Sequence, residues 1–203
     1  MADDGVEVSA WHGPCTTYGG SSYGETINEL RAFLAAFAGA RPALDEIAEL
    51  GAVLKQWTER LQERQVGELD QVYARRGDMA GRGQVTWPAI TFTAADETSL
   101  GGRVRFSRYY LGRNGVVHGG IIALLFDEIA GRLAHFEGRE RARTAYLRTD
   151  FRAPAPIDAD MEIVARFVGE DGRKRFIKVE LHHGVILCAE ADVLMLTLKP
   201  GQQ

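Results

Sequence analysis

The pattern of apolar and polar positions divides the chain into a helical first part and a strand-rich second part. Apolar residues recur every three or four positions over 25–38 and 42–64, which predicts two amphipathic helices joined as a hairpin. Beyond them the spacing becomes that of strands, and only 119–134 returns to helical spacing. We therefore predict a leader and helical extension in residues 1–84 and a second domain in residues 85–203.

The second helix of the extension has a one-sided apolar pattern. The apolar face is expected to point inward, and its main residues are Leu44, Ile47, Leu54 and Leu61. Segment 67–84 is polar and ends in a glycine-containing run, which is typical of a linker. The sequence leaves open whether the hairpin packs on the second domain, supports an oligomer or covers a substrate site.

One long helix is predicted in the second domain, over 119–134. One of its faces is strongly apolar and is expected to be buried. The opposite face is a strip of small residues, including Gly120 and Ala123, that is interrupted by the acid Asp127. Because small side chains let a ligand or another backbone come close, we expect Asp127 to line an interface or crevice and Ala123 to lie near the substrate.

The order of the predicted elements indicates the fold class. Two strands, one of them over 102–110, precede the long helix, and four strands with short connections follow it. Short connections imply antiparallel pairing. One helix against an antiparallel sheet is an α+β arrangement.

A pair of glycines opens the long helix. The amides of Gly119 and Gly120 fall in the first turn, where N–H groups lack an intrahelical acceptor and lie at the positive end of the helix dipole. Without Cβ atoms, these residues let a ligand oxygen approach the backbone. This turn, followed by the Asp127 carboxylate, is suited to hold a carbonyl oxygen and to activate water.

Composition and charge exclude several classes of function. The chain has 203 residues and a formal net charge of −4, which gives no electrostatic basis for nucleic-acid binding. Cys15 and Cys188 are far apart and belong to no CxxC or Cys/His cluster, so neither a disulfide framework nor a metal site is expected. The acidic amino terminus contains no apolar signal segment. A cytoplasmic protein without a membrane span is therefore expected.

The segment VVHGGIIALLFDE, together with TAYLRTDFRAP, resembles the PaaI-like group of hotdog-fold acyl-CoA thioesterases. In that group an acid follows the histidine of the HGG motif by nine positions, as Asp127 follows His118 here. The resemblance covers about residues 85–198. It implies a hotdog fold, in which an antiparallel sheet wraps around a long central helix. It also implies hydrolysis of an acyl-CoA thioester with no cofactor, since coenzyme A is part of the substrate.

The resemblance also implies roles for individual residues. In similar proteins the amide of the first HGG glycine, here Gly119, polarises the thioester carbonyl, and Gly120 lies beside it. The acid, here Asp127, activates water or acts as a nucleophile, and it faces the glycine turn of a neighbouring subunit. His118 helps to orient the substrate or water, and Thr144 contributes a hydroxyl. A homodimer or a dimer of dimers with shared active sites is therefore implied.

Other candidate residues have two interpretations each. The group often has Asn or Gln six residues before the histidine, where this chain has Gly112; Asn114 either fills that space or forms a turn. Glu128 is a second acid at the predicted substrate site, but its spacing from Arg132 favours an ion pair. A basic cluster either binds coenzyme A phosphates or is a solvated surface; it consists of Arg173, Lys174 and Arg175.

Two alternatives to thioester hydrolysis are compatible with the sequence. One is a non-catalytic acyl-thioester- or lipid-binding protein that keeps the fold. The other is an enoyl-thioester hydratase or dehydratase, but those proteins usually carry an Asn-Pro-aliphatic-His element, and the corresponding segment here reads NGVVH.

Overall fold

The structure, a computed structural model, describes residues 16–202; most of the predicted leader and Cys15 lie outside the described residues. Within this range there are three α-helices, which are α1 (Gly20–Gly39), α2 (Leu44–Gln62) and α3 (Gly119–Ala134). The strands are β1 (Ile90–Ala95), β2 (Ser99–Arg105), β3 (Leu111–Arg113), β4 (Val116–Val117), β5 (Ala142–Phe151), β6 (Asp160–Asp171), β7 (Lys174–His183) and β8 (Ile186–Thr197).

Six of the strands form one antiparallel sheet, and α3 packs across it. The strand order is β1-β2-β6-β7-β8-β5, so β1 and β5 are the two edges. The apolar face of α3 is fully buried at Leu125, Phe126 and Ile129, in one cluster with sheet residues such as Met161 and Ile163. Each such side chain contributes about 1.5–3 kcal/mol to stability through its burial. The predicted α+β arrangement of a long helix against an antiparallel sheet is confirmed.

A small hairpin of β3 and β4 precedes α3, and the sequence pattern did not predict it. Strand β2 ends at Arg105, and residues 108–110 form a 3-10 turn, so the prediction of one strand over 102–110 was wrong in its second half. Asn114 and Gly115 join β3 to β4 with φ angles of 55° and 75°. Two successive left-handed residues form the type I′ turn that Asn-Gly favours.

The predicted helical hairpin exists, but the burial predicted for its second helix was wrong. Helix α1 buries Ile27, whereas α2 has no buried residue. All four residues expected to point inward are exposed in the single chain, at 86% for Leu44, 47% for Ile47, 49% for Leu54 and 62% for Leu61. Within the described residues, α2 makes no extensive contact with the sheet domain.

The prediction that segment 67–84 is a linker was also wrong at its carboxyl-terminal end. Arg76 is buried and its guanidinium donates two hydrogen bonds to Asp78, at 2.8 and 2.7 Å. Arg31 of α1 donates to the carbonyl of Gln84 at 2.6 Å. The bond from Arg31, together with one from Arg76 to the carbonyl of Gly20 at 3.0 Å, holds the segment against α1, and the segment carries Arg82 to α3.

The turn between β1 and β2 predicts a pH-dependent contribution to stability. The Asp96 carboxylate accepts hydrogen bonds from the amides and hydroxyls of Thr98 and Ser99, which lower its pKa to about 2. A lowered pKa in the folded state stabilises the fold above the ordinary pKa of 3.8, and this stabilisation is lost as the pH falls towards 2.

We therefore expect Asp96→Asn to destabilise the protein at neutral pH and to cause progressively less destabilisation between about pH 4 and pH 2. Denaturant unfolding across this range measures the effect, with exposed Asp70→Asn as the control. A constant difference between wild type and Asp96→Asn at every pH would contradict the assignment.

Candidate active site

The amino terminus of α3 is held in place by backbone hydrogen bonds to the preceding hairpin. His118 is the N-cap residue of α3, and its own amide donates to the carbonyl of Tyr110 at 2.9 Å. The imidazole Nδ1 of His118 accepts a hydrogen bond from the Gly120 amide at 3.1 Å. Because an amide can only donate, this Nδ1 carries no proton, and the neutral ring carries its proton on Nε2. His118 therefore presents an N–H donor on its far side.

The bond between His118 and Gly120 distinguishes the two glycine amides. Both were predicted to meet a carbonyl oxygen, but the Gly120 amide already has an acceptor. Among residues 16–202, no acceptor is found for the Gly119 amide, which lies in the first turn of α3. A Cβ at Gly119 would lie 2.9 Å from the ring tip of Phe151. The glycine therefore allows the aromatic edge of β5 to cover this turn.

Asp127 lies on the exposed side of α3 and is held by Thr144. The Thr144 hydroxyl donates to Asp127 Oδ1 at 2.6 Å. Strand β5 has an irregularity between Thr144 and Tyr146, where its pairing with β8 shifts register. Both Asp127 and Thr144 are exposed in the single chain. In one copy of the chain the carboxylate of Asp127 is therefore open to solvent.

A crevice of about 440 Å³ opens beside Asp127 and Thr144. Both acids of α3, three arginines and the Trp87 ring face it. Its wall consists of Arg82, Trp87, Asp127, Glu128, Gly131, Arg132, His135, Ala142, Arg143, Thr144 and Met195. The crevice is large enough for part of a small organic ligand.

The neighbouring acid Glu128 is engaged in a buried network of charges. Its carboxylate accepts from Arg132 Nε at 2.8 Å and from an Arg82 guanidinium nitrogen at 3.2 Å, and its side chain is only 9% exposed. The predicted ion pair with Arg132 is confirmed. Arg82 also stacks on the Trp87 ring at 4.2 Å, which orients its charge. Glu128 is therefore a structural acid of the crevice wall, with little freedom to act on a substrate.

Arg82 and Trp87 reach the crevice from outside the predicted motif, and sequence reasoning missed both. Arg82 has a left-handed backbone, with φ of 55°, and lies among glycines that allow such a turn. The available signal was the unusual run GRG in a segment otherwise interpreted as a linker. His135, also in the crevice wall, is half-buried and bridges Gly131 to Ala142 with its two ring nitrogens.

The two predicted catalytic groups of α3 do not meet within one chain. Gly119 and Asp127 are eight residues apart on one helix, which separates them by about 12 Å along its axis at 1.5 Å per residue. Asp127 and Thr144 form one half of the predicted site, and His118 and Gly119 form the other. Strand β5 is an edge of the sheet and carries both Thr144 and Phe151, one beside each half.

Asn114 and Gly112 occupy the hairpin that precedes His118. Asn114 is exposed at the tip of the turn, and its left-handed backbone explains the residue type without a catalytic role. At Gly112, where similar proteins often have Asn or Gln, a Cβ would lie 3.0 Å from the Cα of His118. A side chain at position 112 would therefore require the two backbones to move apart by a few tenths of an ångström.

The basic cluster near β7 is divided between surface and core. Arg175 is buried, donates to the carbonyls of Ala134 and Glu140 at 2.8 Å, and so neutralises the carboxyl-terminal end of α3. This side chain is not available to a phosphate, which corrects the predicted role. Arg173 donates to the carbonyl of Thr197 at 2.8 Å. Lys174 is exposed, 3.9 Å from Asp171.

The small-residue strip of α3 is only partly accessible. Gly120 is exposed and Ala123 is half-buried, but Ala130 and Ala134 are fully buried. The close approach predicted along the strip is therefore possible only near the amino-terminal half of α3 and around Asp127.

The part of the chain that the structure describes contains neither a metal site nor a membrane-spanning helix. Over residues 16–202, no group of three His, Cys, Asp or Glu side chains is arranged to hold a metal ion. In the same range, each helix is too short or too polar to cross a bilayer.

Comparison with known proteins identifies similar sequences and folds. Residues 114–189 match the family model described as the thioesterase superfamily. A crystal structure of a thioesterase superfamily protein is 20% identical and has a TM-score of 0.75, with 90% of this chain and 97% of that chain covered. This coverage includes most of the helical extension. A search of curated proteins found no match.

Two further solved structures cover a smaller part of the chain. Zebrafish thioesterase superfamily member 2 is 19% identical over 54% of this chain and 81% of that chain, with a TM-score of 0.50. AziG from S. sahachiroi is 22% identical over 54% of this chain and 91% of that chain, also with a TM-score of 0.50. Together with the first structure, these neighbours confirm the hotdog fold predicted for the second domain.

The contacts of Arg175 predict a change in stability without a change in substrate affinity. Arg175→Met should lower the free energy of unfolding by about 1–3 kcal/mol, because it removes the donors of two carbonyls inside the fold. Lys174→Met, at the exposed neighbouring position, should change it by less than about 0.5 kcal/mol. Urea denaturation tests both. An unchanged stability of Arg175→Met with weaker binding of coenzyme A would restore the phosphate-binding interpretation.

Proposed function

We propose that the chain hydrolyses an acyl-CoA thioester to a free acid and coenzyme A, because residues 114–189 match the thioesterase superfamily model. The observation that carries the proposal is the Asp127 carboxylate, which is oriented by Thr144 at 2.6 Å and faces a crevice. Thioester hydrolysis as a general reaction is supported by the superfamily; the acyl-CoA substrate and the residue roles are our proposal.

Asp127 acts as the general base in this mechanism. Its Oδ1 accepts the Thr144 hydroxyl proton in a hydrogen bond, which leaves Oδ2 to take a proton from water as the water attacks the thioester carbon. The adjacent Glu128 does not compete, since two arginines hold its carboxylate. A positioned general base contributes about 10²- to 10⁴-fold to rate.

The amino terminus of α3 stabilises the negative charge that develops on the carbonyl oxygen. The Gly119 amide is the donor in this role, because the Gly120 amide is bonded to His118. The Nε2 proton of His118 supplies a second donor to the substrate or the attacking water. When the tetrahedral intermediate collapses, the C–S bond breaks and the thiolate leaves; a thiolate is a good leaving group, so no strong general acid is needed.

A complete site requires two copies of the chain. About 12 Å of helix separates Asp127 from Gly119 of the same chain, so the Asp127 of one copy acts with the Gly119 amide of another. Strand β5 is a ten-residue edge with unpaired backbone groups, and such edges pair readily with a second chain. Antiparallel pairing of β5 with β5 of a second copy, related by a two-fold axis, forms a dimer with two shared sites.

The role of the Gly119 amide predicts a difference between two substitutions at this position. Proline fits the first position of a helix but has no N–H, and the extended backbone of His118, with ψ of 127°, is compatible with a following proline. Gly119→Pro should lower kcat about 10²- to 10³-fold relative to Gly119→Ala. Alanine keeps the amide and adds a Cβ beside Phe151, so it controls for crowding there.

Thiol release from a panel of short, long, branched and aromatic acyl-CoA substrates measures this difference and identifies the acyl group. Equal activity of Gly119→Pro and Gly119→Ala, with both folded, would contradict the role of the amide. An inactive wild type that still binds acyl-CoA would favour the non-catalytic binding protein.

The shared site predicts recovery of activity when two inactive variants are mixed. Asp127→Asn should lower kcat at least about 100-fold, as should Gly119→Pro. When both are unfolded together and refolded, half of the dimers contain one copy of each variant, and each of these has one intact site. Roughly a quarter of wild-type activity should therefore return. Activity at the level of the separate variants would show that each site belongs to one chain.

A further inference from the structure

Helix α2 exposes an apolar face that runs along its full length. At 100° per residue its large apolar side chains fall within one half of the helix circumference, and its charged residues lie mostly on the other half. The exposed fractions on the apolar half are 86% for Leu44, 47% for Ile47, 46% for Val53, 49% for Leu54, 50% for Trp57 and 62% for Leu61. An apolar surface of this extent on one element marks an interaction site.

The helix also depends on a partner for its own stability. Helices in proteins are stabilised mainly by packing of their apolar face, and only in small part by the helix propensity of their residues. None of the residues of α2 is buried in the single chain. Another surface must therefore cover this face in the assembled protein.

We propose that α2 packs antiparallel against α2 of a second copy of this chain. In this arrangement the charges that border the apolar face of one copy are complementary to the same charges of the other copy. Glu46 and Arg60 lie on the same border, each seven residues from Val53. When two copies cross near Val53 in opposite directions, Glu46 of one copy lies beside Arg60 of the other, and the pair occurs twice.

The charge of α2 does not suit a membrane surface. The helix contains four carboxylates and two cations, which are Asp45, Glu46, Glu49 and Glu59 against Lys55 and Arg60. Helices that lie on membranes carry Lys and Arg on their polar face, since anionic lipids attract them. A second copy of α2 offers the complementary charge, and an anionic bilayer would repel it.

Helix α2 begins close to the amino terminus of α3, where the proposed dimer forms its shared active site. The end of α1 packs on the 3-10 turn, where a Cβ at Gly39 would lie 2.9 Å from Arg108 Cδ. Tyr110 of the same turn accepts the amide hydrogen of His118. Helix α2 therefore leaves the fold near the amino terminus of α3, where the second copy contributes its Asp127. The pairing of α2 does not itself require catalysis, so its test is separate from the tests of activity.

The test is a charge exchange across the proposed contact. Glu46→Arg and Arg60→Glu should each weaken self-association of the full chain about tenfold or more, because each places like charges together twice. The double variant restores both pairs and should recover the association of wild type. Glu59→Arg, on the opposite face of α2, should have no effect. Sedimentation velocity over a series of concentrations measures the association.

The double variant also separates pairing from helix capping. Glu46 accepts the Ala43 amide hydrogen at 2.7 Å, so Glu46→Arg removes a cap as well as a charge. Arg60→Glu cannot restore that cap, and recovery in the double variant therefore reports the contact between copies. Association that is unchanged in the single variants, or not recovered in the double variant, would overturn the proposal.

A cross-link tests the direction of packing. Leu54→Cys places a thiol near the proposed two-fold axis and should form a disulfide between two copies on mild oxidation, whereas Glu59→Cys should form little. Equal cross-linking at both positions would overturn the antiparallel contact. Co-sedimentation of wild type with vesicles of phosphatidylcholine and phosphatidylserine, lost in Leu54→Gln, would instead assign the apolar face of α2 to a membrane.

Discussion

The fixed rise of an α-helix is the constraint on which the rest of the site depends. Helix α3 is rigid because its apolar face is fully buried against the sheet, so its first turn and its Asp127 keep their separation. The first turn offers the Gly119 amide and the middle of the helix offers the Asp127 carboxylate, and neither group can move to the other. In the mechanism we propose, the two groups act together only when a second copy of α3 runs in the opposite direction, so the edge strand β5 is as important to that mechanism as the helix itself.

Two adjacent acids on α3 have different environments because they lie on different sides of the helix. Glu128 faces Arg82 and Arg132 and is held in the crevice wall. Asp127 points towards β5, where its contact is the neutral hydroxyl of Thr144. Two cations at Glu128 offset its charge beside Asp127, and one of them, Arg82, also attaches the amino-terminal segment to the helix. The extension is therefore part of the electrostatic environment of the site.

Periodicity predicted the parts of the structure that depend on local pattern. The buried face of α3, the antiparallel strands and the ion pair of Glu128 with Arg132 all follow from spacing along one element. The remaining features depend on contacts between distant segments. Burial of Arg175 beneath the end of α3, the shift in β5 after Thr144 and the approach of Arg82 have no local signature. The apolar face of α2 was correctly located, but its pattern could not show whether the covering surface belongs to the same chain.

The order of the strands affects how the chain reaches this structure. Strand β2 pairs with β6, and Ser99 lies opposite Arg166, so this contact closes a loop of more than sixty residues that contains α3. During synthesis α3 emerges before β6, β7 and β8, and its apolar face has no sheet to cover it until they follow. The three later strands are sequential neighbours and can pair early, as can β1 with β2, whereas the contact between β2 and β6 must wait until β6 has been made. Until those strands pair, the apolar face of α3 is thus open to chaperones and to aggregation in a nascent chain.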